Sequence, residues 1–159
     1  EQITDLKRPA YLRLGMGKPY PKKETIKRIN QVVKSVKPEV TLVTLGPVVH
    51  NALEAVAGKD NSDVFTVLSI PIIEITEALQ KSITETKRVI VIEEHVERGG
   101  LAEHLLSLLA KNEIYVEKFI SLHARGYPGR LYGNQNFHQK ESGLDTENIK
   151  KEISQIVLS

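Results

Sequence analysis

Val89-Ile90-Val91-Ile92 is a run of four apolar, β-branched residues with no polar member. A strand with one wet face alternates polar and apolar side chains, so an unbroken run fits a strand covered on both faces. The charged turn Glu93-Glu94-His95-Val96-Glu97-Arg98 follows, then Gly99-Gly100, then a segment with helical apolar spacing from Leu101. Strand, turn and helix in that order make half of a βαβ unit. The turn stands at the carboxyl end of the strand, the edge where open α/β sheets place their contacts with ligands and partners.

The same alternation recurs along the chain. Val40 to Leu45 reads as a strand bounded by Pro38 and Gly46. Pro47 suits a first helical position, and Val48, Val49, Ala52, Leu53, Val56 and Ala57 give a helical face closed by Gly58. Val64 to Ile70 is the next strand, stopped by Pro71; a helix runs from about Glu74 to Glu85, and the strand Arg88 to Glu93 follows. After the helix carrying Leu101, Leu105, Leu106, Leu108 and Leu109, Tyr115 to Leu122 reads as a last strand. His123 to Gly143 is a polar, glycine-rich connection, and Asp145 caps a final helix through Ile149, Ile153 and Ile156. Right-handed crossovers then give a mostly parallel sheet with helices on both faces.

The amino-terminal part reads differently. Tyr11 to Leu14 fits a short strand, and Gly15-Met16-Gly17-Lys18-Pro19-Tyr20-Pro21 has linker composition. Residues 1–22 are therefore expected to be the tail and linker of something upstream, and 23–159 the domain itself. Lys23 to Val36 is ambiguous: Ile26, Ile29, Val33 and Val36 have helical spacing, while Ile29 to Lys34 also fits a strand.

Composition narrows the function. With 159 residues the chain suffices for one domain. It has no cysteine, hence no disulfide, no thiolate nucleophile and no Cys-type zinc site, which fits a reducing cytoplasm. No apolar run approaches the roughly 20 residues of a membrane span, so no membrane partner is expected. The net charge of +2, aromatics at 5% and no tryptophan argue against nucleic acid; the basic cluster Lys18 to Lys27 is broken by Glu24.

Each candidate motif has a plain alternative. Gly99-Gly100 with Arg98 could cradle an anion at a helix N-terminus, but without G-x-G-x-x-G spacing the default is a tight turn that brings helix and sheet together. On that default, with a strained φ, Gly100→Val is expected to cost about 1–3 kcal/mol. Glu93, Glu94 and His95 could do acid–base work, or serve as interface groups or a solvated turn. His95 and His104 lack metal-ligand spacing, so no metal site is expected. Gly46-Pro47 has neither a nucleophile serine nor a P-loop lysine, and His50 defaults to a core or interface role. Arg125 and Arg130 could hold a carboxylate or phosphate, or be solvated. The residues thus give an α/β domain with no complete catalytic set, and an interaction edge at Gly46-Pro47 and Glu93 to Gly100.

Taken in order, Tyr11 to Leu14, Val40 to Gly46, Ala52-Leu53-Glu54-Ala55, Val91-Ile92-Glu93-Glu94-His95 with Gly99-Gly100-Leu101, and Gly143-Leu144-Asp145 with Ile149 resemble the C-terminal domain of transketolases. Related domains close deoxyxylulose-phosphate synthases and the β subunits of 2-oxoacid dehydrogenases. The resemblance implies a three-layer α/β/α fold with a five-stranded mixed sheet whose first strand, Ile29 to Lys34, is antiparallel and pairs with Val40 to Leu45. It implies that Tyr11 to Leu14 closes a preceding pyrimidine-binding domain. It implies ketol transfer between sugar phosphates with thiamine diphosphate and a divalent metal (Mg or Ca), both bound by the upstream domains. Catalytic, cofactor and metal ligands are then expected to be none in this chain. Gly46, Pro47, Glu93, Glu94, His95, Arg98, Gly99 and Gly100 are expected at a homodimer interface or active-site rim, in a cytoplasmic enzyme. His123-Ala124-Arg125 and the Tyr127 to Gln139 stretch depart from the usual patterns and leave substrate and subfamily open. A stand-alone interaction or small-anion module, and the docking tail of a 2-oxoacid dehydrogenase β subunit, are the alternatives.

Overall fold

The computed structural model describes Lys7, residues 9–11, 27–127 and 129–158. Five strands form one sheet: β1 (Ile29–Val33), β2 (Val40–Leu45), β3 (Ser62–Val67), β4 (Arg88–Glu93) and β5 (Lys118–His123), in the spatial order β1-β3-β2-β4-β5. β2, β3, β4 and β5 run parallel, and β1 is antiparallel to β3. The helices are α1 (Val49–Val56), α2 (Glu77–Thr86), α3 (Leu101–Lys111), α4 (Gln135–Glu141) and α5 (Thr146–Leu158).

The buried strands are apolar on both faces because each face carries its own helix layer. Val43, Phe65, Val89 and Val91 pack with Leu79 and Ile83 of α2 and Leu105 and Leu109 of α3. The alternate residues Leu42, Val64, Ile90 and Ile92 pack with Ala52 and Val56 of α1 and Ile149 and Ile153 of α5. Strand period two thus sorts one continuous apolar run into two cores. The expected mixed five-stranded α/β/α architecture is the one observed.

Helix ends follow local chemistry. The Thr76 hydroxyl accepts from the Leu79 amide at 3.4 Å, starting α2 three residues later than periodicity suggests. Asp145 accepts from the amides of Glu147 at 3.2 Å and Asn148 at 3.3 Å, the expected cap of α5. Inside the α2 layer, Thr41 bonds Ser82 at 2.7 Å and Thr86 at 2.9 Å, so three buried hydroxyls satisfy one another.

Two expectations are corrected. Ile29 to Lys34 is a strand but does not pair with Val40 to Leu45: Ile29 lies opposite Val67 of β3. Both flanks of β2 are taken by parallel neighbours, β3 and β4, so the free edge for β1 is that of β3. The connection is pinned there, with the Ser35 amide on Asp63 at 2.8 Å and the Val36 amide on Asp60 at 3.0 Å. Second, the polar connection after His123 holds a helix, α4. The expected strand at Leu12 to Leu14 lies outside the described residues.

Phe65 is among the largest side chains with no exposed surface and anchors the layer beneath α2 and α3. Phe65→Ala is expected to lower unfolding free energy by about 3–5 kcal/mol in urea denaturation. A loss under about 1 kcal/mol would show that this layer collapses around the gap.

Candidate functional site

The carboxyl edge of the parallel strands brings the candidate residues together. Leu45 of β2 lies opposite Glu93 of β4, and Glu93 opposite His123 of β5. Gly46-Pro47, Glu93-Glu94-His95 and His123 therefore stand on three adjacent strand ends. The Ala124 amide donates to the His95 carbonyl at 3.0 Å and carries the β4–β5 alignment past the sheet. Gly46 has φ +78°, a left-handed conformation that glycine adopts without strain and that turns the chain into a 3-10 turn at Gly46–Val48 ahead of α1.

Glu93 and Glu94 continue the alternation of β4 and so face opposite layers. Glu93 shares its side with Val89 and Val91 and faces α3. Its side chain is fully buried, and its carboxyl oxygens accept from the amides of Leu101 at 2.7 Å and Ala102 at 3.1 Å. These are N–H groups that the first turn of a helix leaves without an intrahelical partner. A carboxyl group there also complements the positive end of the helix dipole. Gly100, the N-cap, has no side chain to do this, so the cap comes from the strand.

Glu94 points the other way. Gln135 of α4 donates its Nε2 to both carboxyl oxygens, at 2.9 and 3.1 Å, and Gln139 donates to the same group. Asn51 of α1 bonds Gln139 at 3.1 Å and the Leu144 carbonyl at 2.8 Å. His95 is half-buried with Nδ1 2.7 Å from the Val96 carbonyl, while Arg98 is exposed. The Gly99 amide donates to Glu103 at 2.7 Å.

The two glycines have different roles. Gly99 has φ +71°, but Gly100 has φ −84° and ψ −177°, an extended conformation open to any residue. The expected backbone strain at Gly100 is thus corrected. A Cβ there would stand 2.5 Å from Glu93 Oε2 and 2.7 Å from Oε1, so the glycine is required by the close approach of the capping carboxyl. The anion-cradle reading also fails on chemistry, since Glu93 and Glu103 already occupy the amides of Gly99, Leu101 and Ala102.

Gln135, Gln139 and Asn51 had no signal in the sequence: an amide side chain does not announce a partner 41 to 93 residues away. Tyr127, in the connection between Arg125 and Arg130, lies 5.9 Å from Tyr132 and 5.2 Å from His138 between ring centres. Arg125 and Arg130 are exposed beside this cluster, and the Arg125 amide donates to Ser142 at 3.2 Å. His50 sits half-buried on α1. Among the described residues no group of three His, Cys, Asp or Glu side chains could hold a metal ion, and no helix is long and apolar enough to cross a membrane.

The family model described as the C-terminal domain of transketolase matches residues 30–149. The 1-deoxy-D-xylulose-5-phosphate synthase of Myxococcus xanthus is 29% identical over 122 residues, 76% of this chain and 20% of its own. The chain thus spans about a fifth of that relative. A split-gene transketolase, solved as an inactive β4 tetramer, superposes with a TM-score of 0.64 at 23% identity over 82% of this chain and 42% of that one. Transketolase from Leishmania mexicana gives 0.53 at 15% identity, covering 82% of this chain and 18% of its own. At such identities the structures show a shared fold.

The cap and the glycine are one unit. Glu93→Ala and Gly100→Ala are each expected to cost about 1–3 kcal/mol, the first by leaving two buried amides without acceptors and the second by displacing the carboxyl from them. In the Glu93→Ala background, Gly100→Ala is expected to cost close to nothing. Strictly additive losses in urea denaturation would show that the glycine answers to something other than Glu93.

Proposed function

Since this chain belongs to the transketolase C-terminal domain family, we propose that it is the closing domain of a thiamine-diphosphate-dependent transketolase-like enzyme. That enzyme transfers a two-carbon ketol unit between sugar phosphates. The domain supports a homodimer and borders the active site, with Gly46, Pro47, Glu93, Glu94, His95, Arg98, Gly99 and Gly100 on that rim, and it is not catalytic alone. We place the enzyme in the cytoplasm, in keeping with a chain free of cysteine.

The observation that carries this reading is the occupied start of α3 at the carboxyl edge. In a fold that places ligands there, the α3 amides best aimed at an anion already hold Glu93. The Leu101 and Ala102 amides are held by Glu93 and so are not open to a diphosphate, and among the described residues no three His, Cys, Asp or Glu side chains gather as metal donors. We assign thiamine diphosphate and the divalent metal to domains that precede this one in the enzyme. The split-gene transketolase solved as an inactive tetramer shares this fold, in keeping with a domain that is not catalytic alone.

The synthase of Myxococcus xanthus favours a second reading within the family, a deoxyxylulose-phosphate synthase. Assay of the full-length protein with thiamine diphosphate and Mg²⁺ separates the two. Ketol transfer from a ketose phosphate to an aldose phosphate is the expected result. Formation of 1-deoxy-D-xylulose 5-phosphate would give the second reading, and absence of both activities would overturn the enzymatic assignment.

A further inference from the structure

Helix α4 has seven residues and none of them is buried. A helix so short does not hold itself together in water, and here no apolar face fastens it to the core. Its own cap is local: the Asn134 side chain accepts from the Phe137 amide at 2.9 Å. Its carboxyl end is tied to the next turn by backbone bonds such as Ser142 to the His138 carbonyl at 3.0 Å. Neither of these bonds attaches α4 to the sheet.

The attachment is polar and centres on one side chain. Glu94, one residue past β4, accepts from Gln135 and Gln139, which lie one helical turn apart on the same face of α4. Asn51 then holds Gln139 from the side of α1. Hydrogen bonds to a carboxylate exceed neutral ones in strength, yet each can be exchanged for water without opening a core. Phe137 and His138 on α4 stack edge to face at 5.3 Å, and His138 meets the Tyr127 ring. When α4 moves, this aromatic cluster moves with it.

We propose that Glu94 is a latch: it clamps α4, with its aromatic cluster, over the carboxyl end of β4, and release of Gln135 and Gln139 opens that edge while the sheet and its two cores stay intact. The device rests on the hydrogen-bond geometry alone and stands whichever activity the full-length protein has.

Hydrogen exchange of the full-length protein tests it, read peptide by peptide at constant pH. In Glu94→Ala, amides of residues 135–141 are expected to exchange at least about tenfold faster, with 88–93 and 146–158 unchanged. The double variant Gln135→Ala/Gln139→Ala, which leaves Glu94 in place, is expected to give the same local pattern. Trypsin is expected to cut after Lys140 faster in both variants than in the parent protein. Unchanged exchange in 135–141, or acceleration spread equally over 88–93 and 146–158, would overturn the latch.

Discussion

One carboxyl group organises the strand-to-helix passage on which this domain depends. Glu93 ends a strand buried on both faces and reaches the first free amides of the next helix. It can do so because the residue between them in space, Gly100, carries no side chain. Strand end, glycine and helix start are thereby tied into one rigid corner. The residues from Glu94 to Gly99 are left outside that corner, at the carboxyl edge, where β2 ends before Gly46-Pro47 and β5 ends at His123. Burying a carboxyl group costs free energy unless its lone pairs are engaged, and the helix start supplies the donors.

Adjacent acids therefore have unlike tasks, and the pleat of the strand decides which acid has which. Glu93 shares parity with Val89 and Val91 and serves the layer of α2 and α3. Glu94 shares parity with Ile90 and Ile92 and meets α4 on the side of α1 and α5. A Glu-Glu-His triplet read as a single cluster suggests coupled acid–base chemistry. The alternation of the backbone pulls the two carboxyl groups apart, one into a helix cap and one into an amide clamp.

Much of this was legible in the sequence. Arg88 to Glu93 is found with its expected bounds, because a run covered on both faces leaves a pattern no loop imitates. The Asp145 cap was legible since its donors lie two and three residues on. The partner of β1 was not, because sequence adjacency suggests β2 whereas β2 has no free edge. Helix α4 was hidden since a helix with no buried residue has no apolar period to detect. The role of Gly100 was misread for a related reason: its constraint is a contact in space with a residue seven positions earlier. The family resemblance, carried by the strand-end motifs, agrees with the match over residues 30–149.

The reversed direction of β1 settles a matter of polarity. Ile29 pairs with Val67, the last residue of β3, and the Leu68 amide donates to the Arg28 carbonyl at 3.0 Å. The first strand therefore begins at the carboxyl edge and runs away from it. Had β1 been parallel, Arg28 would have stood at the opposite end of the sheet, by Ser62. As built, the peptide junction at Lys27–Arg28 lies on the same rim as Glu93 and Gly46. The start of the first strand and the corner that Glu93 closes thus share one edge of the sheet, although more than sixty residues separate them in the chain.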